Sequence, residues 1–327
     1  MILATFHRQD GALALGLVQR EAGLIIDAQV AAQRLDGRPE PRFQSMLSLI
    51  DGGPAALDRL RELGRRAMAE GLACLPLSSV RLAAPVPQPP QMRDFSVFET
   101  HMRNAAVGMA RLRRHRQQAD WPLPVPEQIQ IPEAFVQQPV YYKTNRFSVV
   151  GHEHEVQWPR YSQRLDYELE FGIFLARRGR DISRSQARDY IFGYTIFNDF
   201  SARDAQEFEM TAPFGPTKGK DFDTGNVLGP WIVTPDELPD PYALRMSARV
   251  NGELWSDCSS AGMVHQFEDM IAHVSRDETL HAGEFFGSGT AGGGCGLELD
   301  RWIQPGDVIE LEVEGIGKLR NRVVRSP

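Results

Sequence analysis

The sequence predicts a mixed α/β fold rich in β structure, with a small N-terminal β-rich domain ahead of a larger one. Three observations predict it. Short apolar runs bounded by turn residues recur along most of the chain, as in LALGLV, GLIIDA and VIELEV. Helical spacing is confined to a few segments. The stretch LAAPVPQPPQ, residues 82–91, is rich in proline and suits an extended connector. It divides residues 1–85 from residues 86–327.

Each element follows in order. Residues 1 to about 30 read as short strands, with LALGLV and GLIIDA paired like a hairpin across QREAG. Residues 53–70 read as a helix on the spacing of Leu57, Leu60 and Leu63. Beyond the connector, the chain reads as helical from Glu99 through Arg111, Arg113, Arg114 and Arg116, whose charges suit a solvated face or a partner contact. A second proline-rich stretch spans 121–139. Residues 183–193 read as one helix, with Ser183 as N-cap, Gln186 three residues on and Gly193 as the stop. QPGDVIELEVEGIGKLRNRVV closes the chain as turn, strand, glycine turn and strand.

Composition narrows the function. The 327 residues include 36 basic and 43 acidic side chains, a formal net charge of −7. Hydrophobic residues at 42% and charged residues at 24% are ordinary for a globular protein, which excludes disorder, collagen and a coiled coil. A net acidic chain lacks the basic footprint of bulk nucleic-acid binding. It also repels acidic substrates unless an anion pocket is built locally. Cys74, Cys258 and Cys295 are far apart and odd in number, which favours a reducing compartment. The opening MILATFHRQD turns polar before a signal-type apolar core develops, and no run approaches the ~18 apolar residues of a membrane helix. A cytoplasmic protein binding neither membrane nor nucleic acid is expected.

The chemistry concentrates in LDYELEFGIFLA, residues 165–176. In a strand, Glu168 and Glu170 share one face, roughly 7 Å apart, opposite Tyr167, Leu169, Phe171 and Ile173. Alone, that pattern also fits an amphipathic strand whose glutamates meet water. A second acidic site weighs against it. In GYTIFNDFSARDAQEFE an apolar strand ends at Asp199, where a carboxylate is costly unless paired or bound to a cation. Ser201 is placed to cap the following helix, with Asp204 three residues on, and Arg203 and Gln206 then share a face beside Asp199. Acids without nearby His or Cys make an all-oxygen site suited to Mg²⁺ or Ca²⁺ rather than zinc.

The ordered set DFSVFETH, YYK, DYELEFGIFL, FNDFSARDAQ, TKGKDFDTGNVLGPW, GSGTAGGG and GLELD resembles the fumarylacetoacetate hydrolase superfamily from about Asp94 to the end. The resemblance implies a C-terminal β-roll, a homodimer, and a Mg²⁺-dependent reaction (Ca²⁺ or Mn²⁺ as alternatives) on a small oxo acid. It implies Asp94, Glu168, Glu170 and Asp199 as metal ligands, His101 as the catalytic base and Glu298 as the carboxylate orienting it. Glu298 would fix the imidazole tautomer and stabilise its charged form. If the segment is helical, His101 lies about two turns beyond Asp94 and points the same way. Arg203, Gln206 and Lys220 would hold substrate oxygens, Lys220 offsetting charge on a tetrahedral intermediate. Tyr142, Thr290, Asp223 and Thr224 would contact substrate, Asp223 standing where the hydrolase that names the family has glycine.

The implied reaction is hydrolysis of a C–C bond in a fumarylacetoacetate-, acylpyruvate- or fumarylpyruvate-like β-diketo acid, as in aromatic-compound catabolism. The alternative is an isomerase or decarboxylase of an unsaturated oxo-diacid, of the 2-hydroxyhepta-2,4-diene-1,7-dioate isomerase type, or of oxaloacetate. Specificity would lie in residues 95–120 and 207–225. Other signals carry less. GSGTAG, residues 287–292, fits GxGxxG but runs into the strand-like LELD, so it reads as a tight loop near the site. His152 and His154 read as an exposed loop, and Cys295 as a small buried thiol.

Overall fold

The computed structural model describes residues 1–212 and 214–325. Pro213, within segment 207–225, and Ser326 and Pro327, at the end of 86–327, lie outside the described residues. The fold is mixed α/β, as the sequence predicts. Its frame is a large, mostly antiparallel sheet. Along it run Cys74–Pro76, Leu24–Asp27, Leu13–Gln19, Ile2–His7 and Asn226–Val233; then come Ile191–Asp199, Leu169–Leu175, Phe285–Gly287, Met92–Ser96 and Val140–Lys143. The N-terminal strands join the same sheet as the rest, since Ile2 pairs with Val233 and Leu3 with Ile232.

Leu169–Leu175 is a central strand, paired antiparallel with Ile191–Asp199 on one side and Phe285–Gly287 on the other. All of its residues are buried, Glu170 included, so the acidic face meets the protein interior and not water. Gly172 permits this packing. A Cβ there would lie 2.5 Å from the Phe286 carbonyl oxygen and 2.4 Å from the Phe285 ring. Gly172→Ala is expected to cost about 1–3 kcal/mol and lower the melting temperature by several degrees, read by thermal unfolding. An unchanged melting temperature would mean that the neighbouring strand yields freely.

A second sheet runs Glu253–Ser259, Arg245–Val250, Val308–Val313, Gly317–Arg325 and Glu155–Trp158. Ile173 and Ile196 of the large sheet share one hydrophobic cluster with Met246, Ala248, Leu311 and Leu319 of this second sheet. A further cluster joins Leu60 and Leu63 of the helix Gly53–Glu70 to Phe174, Phe197 and Phe285. That helix stops at Gly71, which takes φ 63. Among the described residues, no helix is long and apolar enough to cross a membrane.

Local expectations are corrected in four places. Residues 183–193 are not one helix: Arg184–Ala187 is a single turn, Arg188–Tyr190 a 3₁₀ turn, and a strand begins at Ile191. Ser183 spends its hydroxyl on the Gln186 side chain at 2.8 Å instead of capping. Gly193 lies within the strand, packed too closely on Ile232 and Val233 for a Cβ. Ser201 does not cap the helix Arg203–Glu209, and its hydroxyl bonds back to the Asp199 carbonyl. LELD is not strand-like, for Gly296–Leu299 forms a helical turn ending at Asp300 with φ 53. Asp94 and His101 do not share a helix: Asp94 stands on Met92–Ser96, and His101 on the helix Glu99–Arg116, hereafter the lid helix.

Candidate active site

Neighbouring strands deliver the acids. Asp94 lies opposite Gly287 in a parallel pairing, and a Cβ at Gly287 would fall 2.4 Å from Asp94 Oδ1. Glycine is therefore what lets this carboxylate sit over the sheet. Gly289 N–H, in the tight loop that follows, donates to Asp94 Oδ1 at 3.2 Å. The 287–292 loop thus serves the acid cluster, as expected of a loop near the site. Glu168 and Glu170 come from the central strand and the residue before it, and Asp199 ends the next strand opposite Asn226.

Asp94, Glu170 and Asp199 each present an oxygen, all within 4.8 Å of one another. Glu170 Oε2 and Asp199 Oδ1 are buried without a hydrogen-bond partner. Burial, and then repulsion from neighbouring carboxylates, pushes Asp94 and Glu170 well above the usual carboxylate range. Orphaned buried oxygens on mutually repelling acids are costly unless something positive joins them. The donor set, all oxygen, fits a hard divalent cation.

Glu168 is held differently. Lys220 Nζ donates to Glu168 Oε2 at 2.5 Å and to Asp199 Oδ2 at 2.6 Å, and Arg203 Nη2 lies 2.8 Å from Glu168 Oε1. Burial pushes Glu168 up, but Lys220 and Arg203 outweigh it and hold its carboxyl down at about 2. Glu168 therefore stays charged and tethers two buried cations at the wall of a cavity. Arg203 Nη2 reaches Glu168 as an ion pair and, although buried, has no aligned hydrogen-bond partner. Arg203 Nη1 donates to Gln206 Oε1 at 2.9 Å, on the shared helix face expected.

Tyr142 and Thr290 line the cavity, but their hydroxyls serve the acids. Tyr142 donates to Asp199 Oδ2 at 2.5 Å and Thr290 to Glu170 Oε1 at 3.3 Å. Asp223 and Thr224 are not brought to the cavity. Asp223 is exposed, and the Thr224 hydroxyl accepts the Gln157 N–H at 2.8 Å. Thr224 takes φ 67 in a loop that buries Lys220 and Phe222 but leaves Asp223 exposed.

His101 lines the same cavity as Asp94 and Glu168, and its Nδ1 bonds Glu298 Oε1 at 2.7 Å. Glu298 sits in a cradle of donors: Asn104 Nδ2 at 3.1 Å, Gly293 N at 2.7 Å and the Cys295 thiol at 3.4 Å. Cys295 is fully buried, and burial pushes its thiol well up, so it remains protonated. Asp166 was missed by the sequence reading. It accepts Arg203 Nε at 2.9 Å and the N–H groups of Gly296 and Leu297 at 2.8 and 2.9 Å. It thereby fixes both the arginine and the turn that carries Glu298. The signal was present, because Asp166 continues the alternation of Glu168 and Glu170.

Part of the basic run finds partners within the chain. Arg113 and Arg116 reach Glu207 at 2.8 and 2.7 Å, fastening the lid helix to Arg203–Glu209, and Arg111 lies 3.5 Å from Asp300. His154 is exposed, whereas His152 is half-buried and accepts the Arg320 N–H at 3.1 Å.

The profile of the fumarylacetoacetate (FAA) hydrolase C-terminal family matches residues 104–324. The human mitochondrial oxaloacetate tautomerase FAHD2A is 31% identical over 86% of this chain and 80% of its own length. The fumarylacetoacetate hydrolase of psychrophilic Exiguobacterium antarcticum aligns over the whole of both chains at 27% identity and a TM-score of 0.73. Maleylpyruvate hydrolase from Sphingobium sp. SYK-6, solved with manganese(II) and pyruvate, has the same fold at 24% identity and a TM-score of 0.71, over the whole of both chains. With Asp94, Glu168 and His101 lining one cavity, the chain belongs to the fumarylacetoacetate hydrolase family.

Proposed function

We propose that the chain hydrolyses a C–C bond in an acylpyruvate-, fumarylpyruvate- or fumarylacetoacetate-like β-diketo acid, with a divalent cation, Mg²⁺ first among candidates. The observation that carries this reading is the His101–Glu298 pair at 2.7 Å, whose imidazole lines the same cavity as Asp94 and Glu168. Asp94, Glu170 and Asp199 would hold the cation, joined by Glu168 through Lys220. When bound, the cation supplies Lewis-acid polarisation of the substrate's oxo groups.

The chain's own residues do the rest. Lys220, Arg203 and Gln206 bind and orient the oxo acid. His101 takes a proton from water, while Glu298 holds the ring so that Nε2 faces the cavity. The water oxygen bonds to the distal carbonyl carbon, and Lys220 offsets the charge that gathers there. The bond to the methylene carbon then breaks. The departing carbon takes the proton, leaving a carboxylic acid and a pyruvate-type product.

A second reading is tautomerisation or isomerisation of an oxo acid. It is favoured by the oxaloacetate tautomerases among relatives about 31% identical. Product analysis separates the two. With Mg²⁺, acylpyruvates are expected to give pyruvate and a free carboxylic acid in equal amounts. Keto–enol interconversion of oxaloacetate without any C–C cleavage would reject hydrolysis in favour of the second reading.

A further inference from the structure

The cavity is larger and more apolar than a four-carbon oxo acid requires. It encloses about 660 Å³, and its charged groups gather at the acid cluster and at the far rim. Between these ends the lid helix lines it with Met102, Ala105, Ala106, Met109 and Ala110, which recur on one helical face. None of these side chains offers a strong donor or acceptor. Val140, Met210, Phe214 and Pro216 add further apolar lining. Phe214 is 88% exposed and Met210 49%, so apolar surface lies open at the mouth of a site whose inner end is built for charge. At the rim, Arg113 lies about 18 Å along the helix from His101. Its Nε already donates to Glu207, a side chain only 1% exposed that also accepts from Arg116.

We infer that this arm receives an uncharged, apolar acyl tail, so that the substrate is an oxo acid with a single carboxylate and a long alkyl or aryl group. The inference rests on the proposed reading of the inner site as one for oxo acids. Ala105 and Ala106 leave room for the tail, Met102 and Met109 adapt to its shape, and Met210 and Phe214 cover it. A second carboxylate carried into the arm would exchange water for methionine and alanine. At the rim, Arg113 and Arg116 share Glu207, so a substrate carboxylate would have to compete with that buried acid for their guanidinium groups.

Two measurements on the full chain with Mg²⁺ test this. The first is binding without chemistry, read by thermal shift for pyruvate, 2-oxohexanoate and 2-oxodecanoate beside oxaloacetate and 2-oxoadipate. Affinity is expected to rise about fourfold per methylene, the value of burying one CH₂, until the arm is filled. 2-Oxohexanoate should bind at least tenfold tighter than 2-oxoadipate, the diacid of equal length. The second is kcat/KM for acetyl-, hexanoyl- and decanoylpyruvate beside fumarylpyruvate, in wild type and in Ala106→Phe. That substitution fills the arm and should lower the decanoyl-to-acetyl ratio at least tenfold. Binding that lengthens with the monoacids, with no acylpyruvate cleaved, would support the apolar arm and reject hydrolysis. Affinity and kcat/KM indifferent to chain length, or a preference for the diacids, would overturn the arm whatever the reaction. If Ala106→Phe does not fold, the wild-type series decides alone.

Discussion

Glu170→Gln is expected to abolish Mg²⁺-dependent turnover and, without added metal, to raise the melting temperature by a few degrees. The two effects have one cause. Glu170 is fully buried among Asp94, Glu168 and Asp199, with Oε2 unpartnered. Folding without a cation must either confine that negative charge beside others or keep a proton on it, and both cost free energy. The neutral isostere removes the repulsion and brings an N–H donor near the orphaned Asp199 Oδ1. A gain on the order of 1–3 kcal/mol follows. The same change removes an anionic ligand from the only three-acid group found among the described residues. Wild type should therefore gain stability from Mg²⁺, by roughly 2.7 kcal/mol at a hundredfold excess over Kd, and the variant should gain almost none. Thermal unfolding with and without Mg²⁺ checks both signs. A variant that Mg²⁺ stabilises as it does wild type would remove Glu170 from the proposed metal site.

How far this cluster was legible follows from what makes it costly. Glu168 and Glu170 declare themselves by period-two spacing within an apolar run, and Asp199 by ending another such run. Asp166 obeys the same alternation. Its role is not legible in the sequence because its partners are the Arg203 side chain and the backbone N–H groups of Gly296 and Leu297, 130 and 131 residues away. The Arg113–Glu207 clasp was hidden for the same reason, its partners lying 94 residues apart. Local signals misled where tertiary pairing overrode them. Ser183 with Gln186 looks like a helix start, yet IFGYTIF is buried on both faces and is claimed by the sheet. Asp223 and Thr224 rest on family likeness alone, which reports loop sequence and not that Asp223 lies exposed or that the Thr224 hydroxyl is taken by the Gln157 N–H.

His101→Asn is expected to lower kcat by roughly 10²–10⁴-fold, with little change in melting temperature. His101 lines the cavity, and losing it leaves Glu298 still bonded to Asn104 and Gly293. Glu298→Gln should lower kcat comparably but also destabilise the fold by about 1–3 kcal/mol. Asn104, Gly293 and Cys295 all donate to Glu298, so an amide N–H finds an acceptor only at His101 Nδ1; this forces the ring proton onto the nitrogen that should act as base and sets an N–H against the Cys295 thiol. The double variant is expected to be no slower than His101→Asn alone, because the carboxylate acts only through the imidazole. Single-turnover kinetics on an acylpyruvate, with thermal unfolding of each variant, checks the pattern. Additive losses in the double variant would show that Glu298 acts on the reaction by a route of its own. A His101→Asn enzyme keeping more than a tenth of wild-type kcat would take water activation away from His101. The site would then have a cation cluster and an oxo-acid cradle but no base for hydrolysis, and enolisation between Lys220 and the acid cluster would become the better account of the same geometry.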